Sequence, residues 1–318
     1  MTEQLVSIIV PTYNRLDFLR ATVASLLALE RPAGVDYELV VVDNGGQDGS
    51  FDWLQSQTGV RSFREERPGE SQARNRGIEE ARGDWLAFVD DDELAEPDWL
   101  LRLWKAAQEL SSRVVTGSVW LQMPEWQLTG LGPVVRQFLG EERGSARQPY
   151  RGRRLPALCN VLIHRQLFHQ YGLFNTNLTV ASDTEFFWRL ARGHEPMWFE
   201  PAARLWHQVP AFRLEPSFLL ARALWQGSYF VIILSGGHPL RGLWLAWPRA
   251  LRALFWDLPG WLLNGNQDCQ LRLWRAWGCC RGALAVIAPQ HFGQGAFFKY
   301  LQDQARYRVD AKGSAGGE

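Results

Sequence analysis

Cysteine is scarce in this chain: four in 318 residues, at positions 159, 269, 279 and 280, with no CxxC pair among them. No disulfide framework is visible, and the pattern suits a reducing compartment. Net charge is absent as well. Acidic and basic residues number 34 each, so nothing at the level of the whole chain points to nucleic acid as a partner. The opening stretch, MTEQLVSIIVPTYNR, enters a strand-like run at once and lacks the basic-then-apolar segment of a secretory signal. The sequon Asn177-Leu178-Thr179 is therefore expected to stay unmodified. There is no internal repeat. Tryptophan, by contrast, is abundant. Of sixteen, seven (Trp225, Trp244, Trp247, Trp256, Trp261, Trp274, Trp277) follow residue 215, which marks a change of task along the chain.

The first hundred residues alternate strand and helix signals. A β-branched run over 5–10 stops at Pro11, and 37–42 stops at the turn cluster Asp43-Asn44-Gly45-Gly46. A third extended segment lies near 60–63, and a fourth over 85–89 runs straight into Asp90. Between them, 15–29 and 70–81 carry helical spacing, the second closed by Gly83 at the position after its C-cap. Pro97 is expected to open a further helix at its first turn. Residues 123–155 read as a variable loop region. Order resumes at 157–163, then in a helix from Ser182 to about Gly193, then in two short extended pieces over 197–200 and 203–207. Trp85, Trp99 and Trp104 fall at core positions. Such alternation implies an α/β fold with an open, mostly parallel sheet flanked by helices, whose ligand crevice lies beyond the carboxyl ends of the strands.

Three polar clusters fall at those ends: Pro11-Thr12-Tyr13-Asn14, Asp43-Asn44, and Asp90-Asp91-Asp92. Consecutive carboxylates are costly to hold together unless a cation neutralises them. A hard divalent ion such as Mg²⁺ or Mn²⁺ binds few carboxylates and leaves positions open for substrate phosphates. A solvated acidic loop is the plainer reading of the same run.

In their order, VSIIVPTYNR, VVVDNGGQDGS, ARNRGI and GDWLAFVDDDELAEPDWL resemble the nucleotide-sugar domain of family-2 glycosyltransferases, inverting enzymes of the GT-A fold. The resemblance is clear over about 5–120 and looser over 155–215. It implies that Pro11, Thr12, Tyr13 and Asn14 line the nucleoside pocket and that Asp43 accepts hydrogen bonds from the base. It also implies that Arg74 lies near the nucleotide, that Asp90 stands by the ribose and the metal, and that Asp92 is the direct metal ligand. Asp91 lies between them in the donor site, and Glu93 replaces a fourth acid.

Inverting transfer needs a carboxylate to take the proton of the acceptor hydroxyl. Asp183, in Ser182-Asp183-Thr184-Glu185, resembles the family's acidic motif at a helix start, although Ser182 stands where the family often has Glu. The same residues form a capping box, Ser182-x-x-Glu185, which is the preferred reading for Glu185. His207 closes a Pro-x-Ala-x-x-x-His segment similar to one in many relatives, where it would complete the metal shell. Arg213 is a candidate to neutralise diphosphate charge.

Past residue 215 the tryptophans mix with arginines and few acids. The most apolar window, 223–240, is broken by Gly236, Gly237, His238 and Pro239 and is expected not to span a membrane, which takes about 20 apolar residues. Tryptophan and leucine opposed by arginine suit helices lying in the membrane interface, or a helical subdomain with snorkelling arginines. The expected organisation is a GT-A domain over 1–215, a helical Trp/Arg-rich region over 216–310 and a disordered tail over 311–318. The expected activity is metal-dependent inverting transfer from a nucleotide-diphosphate sugar, UDP-linked, to a glycan or lipid-linked hydroxyl in cell-surface polysaccharide assembly. The expected place is the cytoplasm, peripheral to the inner face of the cell membrane. Alternatives are a non-catalytic nucleotide-sugar-binding relative and a sugar nucleotidyltransferase. Against the second, Pro11 to Arg15 stands where a Gly-rich, lysine-bearing phosphate loop would be.

Overall fold

The computed structural model describes residues 4–178 and 181–288. These fall into two compact units that part between Leu220 and Ala221. The expected tail over 311–318, the end of the helical region beyond 288 and Thr179 of the sequon lie outside the described residues.

In the first unit, β1 (Gln4–Thr12), α1 (Leu16–Leu27), β2 (Val35–Asp43), α2 (Ser50–Gln55), β3 (Val60–Arg64), α3 (Glu70–Glu80) and β4 (Trp85–Val89) follow the expected alternation. Then come β5 (Glu93–Ala95), α4 (Trp99–Glu109) and β6 (Val114–Gln122). The stretch read as a variable loop holds α5 (Glu125–Thr129), α6 (Pro133–Phe138) and β7 (Gln148–Pro149). β8 (Asn160–His164), α7 (Gln166–Tyr171), α8 (Ser182–Arg192), β9 (Trp198–Gln208) and a 3-10 turn (Ala211–Leu214) complete it.

All nine strands among the described residues join one sheet, ordered β3-β2-β1-β4-β8-β6-β9-β5, with β7 on β9. The pairs β3/β2, β2/β1 and β1/β4 are parallel, while β8 runs antiparallel to both β4 and β6. The sheet is thus parallel through its first four strands and mixed beyond. Strand residues alternate faces, and each face has its own core. Val6, Ile8 and Val10 pack with Leu19, Val23 and Leu26 of α1 and Trp99 and Leu103 of α4. Ile9, Val40, Val42 and Phe88 pack with Ile78, Phe168, Phe186 and Phe187. Burial on both faces explains why these strands read as continuous apolar runs.

Four local expectations change. Gly83 does not adopt a left-handed conformation; a Cβ there would meet the Leu5 carbonyl oxygen at 2.5 Å, so the glycine allows close approach to β1. α4 begins at Trp99, after Pro97. The two extended pieces near 197–207 are one strand, because β9 keeps pairing with β6 across a register shift at Gly117/Ser118. The capping box does not form: α8 starts after Ala181 with no side-chain cap, and Glu185 pairs with Arg189 one turn on.

The second unit is helical. α9 (Pro216–Ser235) leads into it, followed by α10 (Pro239–Arg252), a π turn (Ala253–Asp257), α11 (Leu258–Asn264) and α12 (Gln267–Ile287). The apolar helix lies earlier than the 223–240 window. By length and composition α9, of 20 residues and hydropathy 1.4, suffices to cross a membrane, and half of that stretch is buried inside the protein. A core helix satisfies the same description.

Candidate active site

Because β1, β2 and β4 are parallel, their carboxyl ends share one edge, and Thr12 is in register with Asp43 there. Asp90 continues directly from β4. β8 runs the other way, so its first residue, Asn160, pairs with Val89 and brings Cys159 to the same edge. At the far side, Glu93 pairs with His207. The topology therefore gathers residues from five separate stretches of sequence.

At the end of β1, Pro11 and Thr12 are buried and Tyr13 stands 55% exposed. Asn14 takes a left-handed φ of 52°, and its Oδ1 accepts the Gln47 N–H at 2.7 Å. Asp43 is fully buried and accepts the Gly46 N–H at 3.1 and 3.2 Å, with Arg64 at 3.9 Å. Burial pushes the Asp43 carboxyl above its usual range despite Arg64.

The three aspartates separate into different environments. Asp90 is half-buried, 3.2 Å from Arg74 Nη2, and its N–H donates to Glu93 Oε2 at 3.1 Å. Asp91 is buried and braced, accepting from Thr12 Oγ1 at 2.8 Å and Arg15 Nη1 at 2.9 Å, while its carbonyl accepts from Thr22 Oγ1 at 2.9 Å. Burial, with repulsion from Asp92 and Asp90, pushes its pKa to about 6 against the pull of Arg15. Asp92 Oδ2 gathers Arg15 at 2.8 Å, Arg213 at 3.0 Å and His207 Nε2 at 3.4 Å. Burial would raise its pKa, but His207, Arg213 and Arg15 together hold it well below the carboxylate range. Arg213 also contacts His207 Nε2 at 2.7 Å.

α3 returns antiparallel to the strands, so its first turns sit at the carboxyl edge and carry Glu70 and Arg74 there. Arg74 is buried between Glu70, at 2.5 Å, and Asp90. The charge of Asp183, at the start of α8, is felt at both Glu70 and Arg74, so it lies within electrostatic range of this edge. Asp183 Oδ1 accepts the Thr184 N–H at 2.7 Å, and Oδ2 has no hydrogen-bond partner among the described residues. Asn75 fixes the approach to α8: its side chain donates to the Phe174 carbonyl at 2.9 Å and accepts the Phe174 N–H at 3.0 Å.

The profile described as Glycosyl transferase family 2 matches residues 7–172, more than half of the chain. The chain belongs to glycosyl transferase family 2. It is 27% identical over 252 residues to the glucosyl-dolichyl phosphate glucuronosyltransferase of Haloferax volcanii, covering 70% of this chain and 75% of that protein. It is also 27% identical over 252 residues to the succinoglycan biosynthesis protein ExoM of Rhizobium meliloti, covering 73% and 76%. The curated relatives differ in length, and this chain spans from a quarter to about three quarters of those it matches first. The crystal structure of Staphylococcus aureus TarS 1–349 has the same fold, with a TM-score of 0.55 at 15% identity over 96% of this chain and 91% of that one. The fold is thus of the GT-A type, and this family-2 glycosyltransferase has relatives in polysaccharide biosynthesis.

Family-2 glycosyltransferases generally use a divalent metal, and one cluster of this chain fits it. Donor atoms of Asp90, Glu93 and Cys159 all lie within 4.8 Å of one another. Burial, then the charges of Asp90 and Asp92, push the Glu93 carboxyl well above its ordinary range, and a bound cation would bring it back down. The two carboxylates offer hard oxygen donors. The Cys159 thiol, driven well up by burial, Glu93 and Asp90, stays protonated and is a poor ligand for a hard ion. Of the three ligands expected from sequence, Asp92 and His207 meet, while Asp90 turns toward Glu93. Sequence reasoning gave no role to Arg15, Glu70, Thr22 or Cys159. Only Arg15 left a signal, following directly on the Pro11–Asn14 cluster.

Proposed function

We propose that this glycosyltransferase moves a sugar from a nucleoside diphosphate, UDP by preference, to a hydroxyl acceptor with inversion at the anomeric carbon. The observation that carries the reading is the convergence of Asp43, Arg74, Asp90 and Asp183 on one sheet edge from sites far apart in sequence. Thr12, Tyr13 and Asn14 would flank the nucleoside, with Asp43 accepting from the base. A bound Mg²⁺ or Mn²⁺ would act as a Lewis acid on the leaving diphosphate, held by Asp90 and Glu93 with Asp92 and His207 alongside. Arg74 and Arg213 add fixed positive charge for the same phosphates. Asp183 takes the acceptor proton through Oδ2 as the acceptor oxygen forms its bond to the anomeric carbon. The bond to the diphosphate breaks on the opposite face, which gives inversion. The acceptor is a glycan hydroxyl, lipid-linked or otherwise held at the membrane, and the setting is the cytoplasmic face. That last step rests on the composition of the second unit and on the Haloferax and Rhizobium relatives.

The test is release of UDP or GDP from a panel of nucleotide sugars, with and without Mn²⁺. Asp183→Asn should lower turnover by roughly 10²-fold or more, the scale of a general base, while UDP affinity holds. Unchanged turnover in that variant would remove Asp183 from the reaction.

A further inference from the structure

We infer that the outward face of the carboxy-terminal helices docks in the plane of a bilayer carrying anionic headgroups. The proposed membrane-held acceptor gives this docking its purpose, but its physics is independent of that reading.

The second unit crosses its helices through glycine and leaves many of its large apolar residues outside. At the α9–α12 crossing a Cβ on Gly278 would meet the Leu224 carbonyl oxygen at 2.0 Å, and one on Gly282 the Ser228 carbonyl oxygen at 2.4 Å. α10 turns Gly242, Leu245 and Ala246 inward. Its other face presents Leu240, Trp244 and Trp247 at i, i+4 and i+7, one continuous exposed stripe. Beyond it Phe255, Trp256 and Leu263 are exposed by 61%, 71% and 81%, and α12 adds Trp277 at 62%. An apolar surface of this extent marks an interaction site. Close backbone crossings through glycine combined with outward tryptophan and leucine are how helices pack when their surroundings are apolar.

Charge identifies the occupant. Residues 221–288 contain seven arginines against two aspartates. Both aspartates are buried, and Asp257 is bound to Arg272 at 2.6 Å. Arg252 lies 3.9 Å from that committed carboxylate and is 67% exposed, beside Trp256 at a cavity of about 540 Å³. Indole rings next to guanidinium groups match the interfacial layer of a membrane, where the ring meets acyl chains and the cation meets phosphate. A second copy of this chain fits less well. A self-complementary interface would set arginines against arginines, with the unit's aspartates already buried.

The test floats the full chain with vesicles of phosphatidylcholine alone, or of phosphatidylcholine mixed with phosphatidylglycerol. The wild type should rise with the mixed vesicles and be progressively released by salt. Trp247→Ser with Trp256→Ser should weaken partitioning by roughly ten-fold per tryptophan. Arg252→Gln should weaken it about five-fold on the mixed vesicles alone. All three positions are exposed, so circular dichroism and donor hydrolysis should be unchanged. A wild type that stays below both vesicles overturns the proposal, and equal capture by both overturns its anionic part. A mass that doubles in light scattering and reverts in the tryptophan variant would assign the face to a second copy. Donor release is read in the same samples. Docking without release would count against the transfer reading alone, and release without docking against this proposal alone.

Discussion

Asn75 ties the arginine-bearing helix to the segment that delivers Asp183, and its removal should be felt twice. The side chain makes two buried hydrogen bonds to Phe174, at 2.9 and 3.0 Å, across 99 residues of sequence. Asn75→Ala leaves the Phe174 N–H and carbonyl without partners beside a ring that packs on Phe88, Phe168 and Phe186. Each orphaned group costs about 1–3 kcal/mol, so the pair should cost about 3 kcal/mol. For a unit of this size that is a fall in Tm of roughly 6–12 °C. Asn75→Asp should be no better: it keeps the acceptor but sets a carboxylate oxygen against the Phe174 carbonyl. Differential scanning fluorimetry measures the first effect. Donor turnover against donor concentration measures the second, with kcat falling more than KM if the segment serves to position Asp183. A loss of stability below about 0.5 kcal/mol, the level of an ordinary surface change, would refute the argument.

Gly117 sits where β6 changes register on β9, and a Cβ would meet the Ala203 carbonyl oxygen at 2.1 Å and the Asn160 side chain at 2.5 and 2.6 Å. Gly117→Ala should cost about 3 kcal/mol, the upper range of overpacking, and displace the strand bearing His207; an unchanged urea midpoint would contradict this. Glu65 has its pKa lowered to about 2 by the hydrogen bonds and charge of Arg67, so it stabilises the fold above its unfolded value of 4.5 and ceases to as pH falls toward 2. In that window the unfolded state binds more protons, so stability rises with pH. Glu65→Gln should flatten the acid limb of a Tm–pH curve, and identical limbs would sink the assignment.

Much of the first unit was legible. The strand ends read from sequence as one ligand-facing edge, after residues 10, 42 and 89, do lie side by side in the sheet. Apolar runs buried on both faces cannot be mistaken for surface, and parallel order then forces Thr12, Asp43 and Asp90 onto one edge. The capping box was illegible because the same four letters serve equally for a helix that begins after Ala181 with Glu185 paired to Arg189. The division of labour among the aspartates was hidden too. Sequence shows consecutive acids, whereas Arg15, Arg213 and His207 reach Asp92 from stretches whose distance along the chain says nothing about approach.

The sequence by itself determined the family, the alternation of strand and helix, and the strand ends that share one edge. These follow from local patterning and from motifs in fixed order. Only the tertiary structure decided which acid is braced by Thr12 and Arg15, which is neutralised by three basic partners and which stands beside Glu93. It also decided that the tryptophans of α10 and α12 face outward rather than into a core. Both outcomes depend on what stands opposite a side chain, and burial and ion pairing act through space rather than along the chain.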